Sequence, residues 1–227
     1  MNKFIIFDLD DTFYIYETTH QSALNAVFEN QKFFDDFTSF EKKYILSKNR
    51  IQQRLASNPS KHSKLLYFKD MFEDKCQMQE ILNFESIYWE TFIKEANVSQ
   101  KLNNFIREEK KEKDLFILCT NQNTNIQLEK VNKWKLDFFD FIITSEEVGY
   151  EKPENQFFKY VIETIGKLDN SKYNFYALGD SYENDIKYWE NTFNANGYII
   201  DNSISSFTEK NNLIHTNIQM AVNDIFN

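Results

Sequence analysis

The sequence predicts an α/β fold, in which a parallel β-sheet with helices on both faces carries a separate helical segment. Apolar strand-like runs alternate with amphipathic helical stretches after about residue 98. A similar apolar run, KFIIFDLD at residues 3–10, stands apart from the others, because helical periodicity fills the chain between them. We therefore expect residues 1–15 and 98–227 to form one α/β core, and residues 16–97 to form a helical insertion.

Each predicted strand of the core is a short apolar run that ends in polar residues. The runs are KFIIFDLD, DLFILCTN (114–121), FFDFIITS (138–145), NFYALGD (174–180) and NGYIID (196–201). The helical stretches between the later runs are NIQLEKVNKWKL, PENQFFKYVIETI and SYENDIKYWENT. Strands that alternate with helices in this way are typical of βαβ units, whose strands lie parallel in one sheet.

The insertion has apolar and aromatic residues at every third or fourth position, with charged residues between them. This spacing predicts amphipathic helices. The stretch SNPSKHS at residues 57–63 interrupts the pattern with a proline and several residues that favour helix caps. We expect four or five helices that form a bundle.

Composition narrows the class of protein. The formal net charge of −9 disfavours nonspecific binding to nucleic acid or to an anionic membrane. The sequence contains no apolar run of about 18 residues, the length that a membrane span needs, and its start is too acidic for a signal peptide. Cys76 and Cys119 show no metal-ligand spacing and fit a reducing compartment, so we expect a cytoplasmic protein. No feature of the sequence predicts an oligomeric state.

Polar residues follow four of the predicted strands where each one ends. They are Asp8, Asp10, Thr120, Asn121, Lys152, Asp180 and Asp185. Ligands of an open parallel sheet bind beyond the carboxyl ends of its strands, so we expect these side chains to meet at one edge. Mg²⁺ prefers carboxylate and phosphate oxygens, and a lysine can act as a point charge on phosphate. The pattern therefore predicts a magnesium site that handles a phosphoryl group.

Two local features bear on the geometry of this site. Asp8 and Asp10 would point to opposite faces of a regular strand, so we expect the backbone to turn there, and Asp11 and Thr12 are residue types that suit a turn. Gly179 would let the backbone approach closely just before Asp180.

At these positions the chain resembles the haloacid dehalogenase superfamily of phosphohydrolases. The matching motifs are DLDDT at 8–12, the strand-end Thr120, Lys152 within YEKPENQFF, and GDSYENDI at 179–186. Their order and spacing agree along essentially the whole chain. The resemblance implies a Rossmann-like core. It also implies that residues 16–97 form a helical cap, since an insertion between the first and second motifs usually does so in this family.

The resemblance also implies roles for single residues. Asp8 would be the nucleophile that forms an aspartyl-phosphate, and Asp10 the general acid and base. Thr120 and Lys152 would hold the phosphoryl group. From its place at the same strand end, we expect Asn121 to be a further substrate contact. Mg²⁺ would be bound by Asp8, by the backbone carbonyl of Asp10 and by Asp180, with Asp185 as a ligand or as a partner of a metal-bound water.

These residues favour a phosphatase of a small metabolite, such as a sugar phosphate, a nucleoside monophosphate or phosphoglycolate. The dehalogenases of the family generally lack an acid at the position of Asp10, because a halide needs no proton when it leaves. Two alternatives stay open at this stage: a phosphosugar mutase of the same fold, and a catalytically idle protein that binds a phosphorylated ligand.

Overall fold

The computed structural model describes residues 1–72, 75–166, 169–201, 213–215 and 217–227. The chain divides into two compact units. Residues 1–15 and 97–227 form the first, called here the core unit, and residues 16–96 form the second, called the helical unit.

The core unit is built on a parallel sheet, as predicted. Its described strands are β1 (Asn2–Phe7), β2 (Leu115–Thr120), β3 (Phe141–Thr144), β4 (Tyr173–Gly179), β5 (Asn196–Ile200) and β6 (Leu213–His215). They lie in the order β3-β2-β1-β4-β5-β6, and every neighbouring pair is parallel. The first strand is therefore central, and the chain builds the sheet outward from it on both sides.

The described α-helices are α1 (Tyr16–Glu29), α2 (Phe37–Leu55), α3 (Lys64–Phe72), α4 (Met78–Glu95), α5 (Gln100–Glu109), α6 (Thr124–Lys133), α7 (Ser145–Val148), α8 (Asn155–Ile165), α9 (Lys187–Phe193) and α10 (Ile218–Phe226). Short 3₁₀ segments cover Pro59–His62 and Asn170–Lys172, and a π-helical turn covers Tyr182–Ile186. The first four α-helices belong to the helical unit.

Helices cover both faces of the sheet because side chains alternate along a strand. Phe4 and Ile6 belong to a buried cluster that α8 and α9 complete on one face. Phe7 lies on the other face, where its ring centroid is 5.8 Å from that of Phe116. Phe116 in turn packs against Phe226 of α10, at 6.1 Å. The central strand is thus apolar on both sides, as a strand covered on both faces should be.

The prediction missed several elements of the core unit. Strand β6 and helices α5, α7 and α10 were not expected. The predicted helix over 181–192 begins instead as the π-helical turn and becomes α9 only at Lys187. Strand β6 and α7 have three and four residues, too few for hydrophobic periodicity to reveal them. Helix α5 follows an effective N-cap, since the Ser99 hydroxyl accepts a hydrogen bond from Leu102 N at 3.2 Å.

The helical unit has an aromatic core. Helix α1 packs against α4, and α2 against α3. The rings of Phe72 and Phe84 lie 4.8 Å apart, and Tyr44 packs on Phe68 at 5.7 Å. The Asp36 carboxylate caps α2 by accepting a hydrogen bond from Ser39 N at 2.8 Å. The ring pairs, Phe72 with Phe84 and Tyr44 with Phe68, attract each other beyond the burial of apolar area, so they stabilise the helical unit.

A membrane-spanning helix, which would have to be both long and apolar, is absent from the part of the chain that the structure describes.

Candidate active site

The strand order brings the predicted site residues to one edge of the sheet. Because β1 is central, the chain crosses to β2 on one side of it and later returns to β4 on the other. Asp8 follows β1 directly, and Asp180 follows β4 directly. The crevice between strands whose connections run in opposite directions is where open α/β sheets bind their ligands.

The backbone turns sharply after β1, as the sequence predicted. Asp11 has a φ of 58°, in the left-handed region. The amides of Thr12 and Phe13 both donate to the carbonyl of Leu9, at 3.3 and 3.0 Å. This turn lets Asp8 and Asp10 face the same cavity although they are only two residues apart.

That cavity has a volume of about 170 Å³ and is lined by polar side chains. The lining residues are Asp8, Asp10, Asp11, Thr120, Asn121, Lys152, Asp180, Asn184 and Asp185. All seven site residues predicted from the sequence are therefore brought together, and Asp11 and Asn184 join them. The cavity lies entirely within the core unit.

Lys152 joins two carboxylates at the base of the cavity. Its Nζ donates to Asp8 Oδ1 at 2.7 Å, to Asp185 Oδ1 at 2.6 Å and to the carbonyl of Cys119 at 2.7 Å. Burial alone would lower the pKa of Lys152, but the charges of Asp185 and Asp8 outweigh it and raise this pKa above its ordinary value. The lysine therefore stays positively charged at the place where a phosphoryl group would need a cation.

Asp8, Asp180 and Asp185 form an acidic cluster. One carboxylate oxygen from each lies within 4.8 Å of the others. Burial, followed by the charges of Asp185 and Asp180, raises the pKa of Asp8 well above its ordinary value, although Lys152 opposes the shift. Asp180 lies at the exposed rim, yet partial desolvation of its carboxyl and the charges of Asp185 and Asp11 raise its pKa to about 6. Crowded carboxylates of this kind fit a divalent cation, because the cation would relieve their mutual repulsion.

Gly179 makes room for this cluster. A Cβ atom at position 179 would lie 2.4 Å from Asp185 Cβ and from its Oδ2, closer than real atoms approach. Asp185 cannot easily move aside, because Oδ2 accepts from Ser181 N at 3.0 Å while Oδ1 is held by Lys152. The absence of a side chain at Gly179 is thus a condition for the position of Asp185.

Two hydrogen bonds join the Asn121 side chain to the backbone of Lys152. The Asn121 side-chain amide donates to the Lys152 carbonyl at 2.9 Å, and its oxygen accepts from Lys152 N at 2.8 Å. The Asn121 side chain therefore positions Lys152. Thr12, whose hydroxyl donates to Asp8 Oδ2 at 3.3 Å, orients the carboxylate that Lys152 holds from the other side.

Asp10 is held by a group of residues that sequence reasoning missed. Lys130 Nζ donates to Asp10 Oδ1 at 2.6 Å, and the Tyr14 hydroxyl donates to the same oxygen. Gln127 Nε2 donates to Asp10 Oδ2 at 3.1 Å and to Thr120 Oγ1 at 2.8 Å. Burial would raise the pKa of Asp10, but the Lys130 charge and these hydrogen bonds outweigh it and lower this pKa below its ordinary value.

A signal for two of these residues was present in the sequence. Gln127 and Lys130 are three residues apart, so they lie on one face of α6, and Trp134 follows four residues later on the same face. Polar side chains in line with a tryptophan are unusual on a buried helical face. Only the fold, however, shows that this face meets Asp10.

The sequence pattern of the haloacid dehalogenase-like hydrolases matches residues 3–188 of the chain. The protein belongs to this family of hydrolases. The match spans both the strand-end residues and the helical unit, and the resemblance expected from the sequence motifs is confirmed.

Two characterised relatives of this hydrolase are phosphatases by name. Ribulose-1,5-bisphosphate 5-phosphatase of Halopiger xanaduensis is 27% identical over 189 residues, which cover 80% of this chain and 78% of the relative. Pyrimidine 5'-nucleotidase YjjG of Escherichia coli is 36% identical over 70 residues, 30% of each chain. The magnesium-bound crystal structure of YfnB from Bacillus subtilis superposes with a TM-score of 0.65 at 18% identity and covers 99% of this chain and 98% of its own. That likeness shows the shared fold.

Proposed function

We propose that this hydrolase is a Mg²⁺-dependent phosphatase of a small phosphorylated metabolite, acting through an aspartyl-phosphate on Asp8. The observation that carries the proposal is the setting of the Asp8 carboxylate. It lines the cavity, accepts a hydrogen bond from the buried Lys152 at 2.7 Å, and has oxygens of two further acids within 4.8 Å. Phosphoryl transfer to Asp8 brings several negative charges together, and Lys152 and a bound metal ion would both offset them.

In the first step, an Asp8 carboxylate oxygen attacks phosphorus and the bond from phosphorus to the ester oxygen breaks. The leaving alkoxide takes a proton from Asp10, whose carboxyl lines the same cavity. The pKa of Asp10 is low before substrate binds, but the negative charge of an arriving phosphoryl group would raise it. In the second step, Asp10 accepts a proton from water, the water attacks the aspartyl-phosphate, and phosphate and free Asp8 result.

Thr120 and Lys152 would hold the phosphoryl oxygens. The Thr120 hydroxyl oxygen accepts a hydrogen bond from Gln127, which leaves its hydrogen to donate. Lys152 brings a full positive charge to the same cavity and is itself held by Asn121. The three N–H donors of Lys152 are taken up by Asp8, Asp185 and the Cys119 carbonyl, so the lysine would act on the phosphoryl group as a fixed positive charge, while Thr120 would donate a hydrogen bond.

The acidic cluster, with the backbone carbonyl of Asp10, would hold the metal ion. Asp8, Asp180 and Asp185 supply hard oxygen donors, which is what Mg²⁺ requires. When bound, the ion would neutralise charge on the phosphoryl oxygens.

Two lines of support favour a phosphoester over other substrates of the family. Asp10 supplies the proton that an alkoxide needs on leaving. The two characterised relatives are named for a sugar bisphosphate and for a pyrimidine nucleotide. We therefore propose sugar phosphates and nucleoside monophosphates as the first substrates to test, with phosphoglycolate as a third type. The helical unit, at residues 16–96, would act as the cap that selects among them.

The test is a panel of phosphorylated sugars, nucleoside monophosphates and phosphoglycolate, followed by release of inorganic phosphate with Mg²⁺ or with EDTA. We expect turnover with Mg²⁺, loss of it with EDTA, and loss of about 10⁴-fold or more in Asp8→Asn. Asp169→Asn, an exposed acid of the core unit, is the matched control and should act as wild type. Substrate binding without turnover under every condition would indicate an idle binding protein instead.

A further inference from the structure

Asp10 and Lys130 form an ion pair in which the lysine is buried and the aspartate is partly exposed. The Lys130 side chain is fully buried, while 23% of the Asp10 side chain is exposed toward the cavity that it lines. A buried ion pair seldom stabilises a fold more than apolar packing of the same volume would. The exposed part of Asp10 faces the cavity of the proposed reaction, whereas Lys130 does not line that cavity. Any effect of the lysine on the reaction would therefore pass through Asp10.

The surroundings of Lys130 hold it in place. Its Nζ lies 5.6 Å from the ring centroid of Tyr14 and 5.9 Å from that of Trp134, and it also donates to the Tyr14 hydroxyl at 3.1 Å. Tyr14 packs on Trp134 with ring centroids 4.9 Å apart. A cation fixed in this way has little freedom to change partners.

The two oxygens of Asp10 are used differently. Oδ1 accepts from both Lys130 and Tyr14, so its two lone pairs are occupied. Oδ2 accepts from Gln127 at 3.1 Å, which leaves one lone pair for a proton. The same Gln127 amide donates to Thr120, so it sets the distance between the acid and a residue of the phosphoryl site.

We propose that Lys130, Tyr14 and Gln127, called here the Asp10 clamp, are positioning residues that fix Asp10 so that Oδ2 delivers the proton to the leaving alkoxide. This inference rests on the proposed phosphatase function. Lys130 and Tyr14 reach the site through Asp10, so their importance for the first step should follow the need of the leaving group for a proton. An aliphatic alkoxide needs that proton, whereas a nitrophenolate leaves without it.

The test compares two substrates in Lys130→Met, which keeps the unbranched side chain and removes the charge. One is p-nitrophenyl phosphate, and the other is the aliphatic phosphate that wild type hydrolyses best in the panel. We expect kcat/KM, which reports the steps up to release of the alcohol, to fall about 100-fold on the aliphatic ester and less than about threefold on the aryl ester. The kcat values should fall on both esters, because hydrolysis of the aspartyl-phosphate also uses Asp10 as a base. Asp10→Asn should show the same contrast, and Lys133→Met, an exposed lysine of the same helix, should show none.

Tyr14→Phe covers the case in which Lys130→Met fails to fold, because it keeps the ring and removes one hydrogen bond. It should give about a tenfold loss of kcat/KM that is confined to the aliphatic ester. Equal losses of kcat/KM on both esters, or no loss on either, in the variants that fold would overturn the clamp while leaving the phosphatase proposal intact. If wild type hydrolyses neither ester, both proposals fail.

Discussion

Both units of the molecule bury aromatic rings, but they differ in how they bury charged groups. The core unit buries charges in pairs and triplets: Asp8, Lys130, Lys152 and Asp185. The helical unit buries rings: Phe40, Tyr44, Phe68, Phe72, Phe84, Tyr88 and Phe92. Where the helical unit does bury a cation, Lys64, the nearby groups include aromatic rings, with the Tyr67 centroid at 5.2 Å.

This contrast predicts different effects of substitutions in the two units. Burying aromatic rings stabilises a unit through apolar area and ring contacts. Burying ions removes them from water at a cost that a partner must offset, and losing one partner leaves the other uncompensated. The core unit should therefore respond to single changes with a loss of both fold and activity, and the helical unit mainly with a loss of stability.

Lys152→Met is the substitution that we expect to lower the stability and activity of the core unit most. It leaves Asp8 and Asp185 buried without their shared cation, so we expect the free energy of unfolding in EDTA to fall by about 3–5 kcal/mol. Activity per folded molecule should fall about 10³-fold, because the phosphoryl group loses a fixed positive charge.

Urea denaturation and initial rates give the two quantities. Lys172→Met is the matched control, since its side chain is 67% exposed and its partner Asp169 is also at the surface. Wild-type stability in Lys152→Met would show that the lysine is not needed to offset the buried acids.

Gly179→Ala should come next. The added methyl group would meet Asp185 at 2.4 Å, so the acid must leave its position between Lys152 and Ser181. We expect a loss of about 100-fold in kcat, measured at saturating Mg²⁺, and a weaker apparent affinity for the metal.

Gly166→Ala is the control for backbone effects. Gly166 has a φ of 80° and open space around it, so alanine there strains the chain without touching the site. Gly166→Ala should lower stability and keep kcat. If Gly179→Ala kept full kcat, the close approach of Asp185 would be irrelevant to catalysis.

The fold and most of the site could be predicted because they follow from strand ends. The acids, Thr120 and Lys152 each come directly after an apolar run or shortly beyond it, and parallel strands place such residues at one edge. The Asp10 clamp could not be predicted in the same way. Lys130 looks like any helical lysine in sequence, and its burial depends on how α6 packs against the turn after β1.

In the helical unit the prediction concerns His20. Its Nδ1 lies 2.6 Å from the Tyr88 hydroxyl, and burial, with smaller effects of Lys64 and Lys48, lowers its pKa to about 3. In the unfolded chain the His20 side chain takes up a proton near the ordinary histidine pKa. His20 therefore stabilises the fold above about pH 6.5, and we expect this contribution to fall by about 1.4 kcal/mol per pH unit below it.

Urea denaturation of the full chain at pH 7, 6 and 5 measures the slope. Asp8 and Asp180, whose pKa values are raised, contribute with the opposite sign, so the informative quantity is the difference between wild type and His20→Gln. The variant should lose less stability on acidification than wild type. Identical slopes for wild type and His20→Gln would show that His20 is not held neutral.

The smallest effect should come from the cap of α2. Asp36→Ala removes the acceptor for Ser39 N, so we expect Tm to fall by roughly 2–4 °C. Differential scanning calorimetry measures the shift, with Asp35→Ala as the neighbouring control. The kcat of the folded variant should equal that of wild type, and a large loss of kcat would break the separation between the two units.

The most direct test of the central claim is to trap the acyl phosphate. The enzyme is mixed with Mg²⁺ and its best substrate, quenched in acid within one turnover, reduced with tritiated borohydride and digested. We predict that the label appears in the peptide that contains Asp8, and that Asp8→Asn gives no label. Label on another residue, or full turnover with no labelled peptide in wild type, would contradict the account.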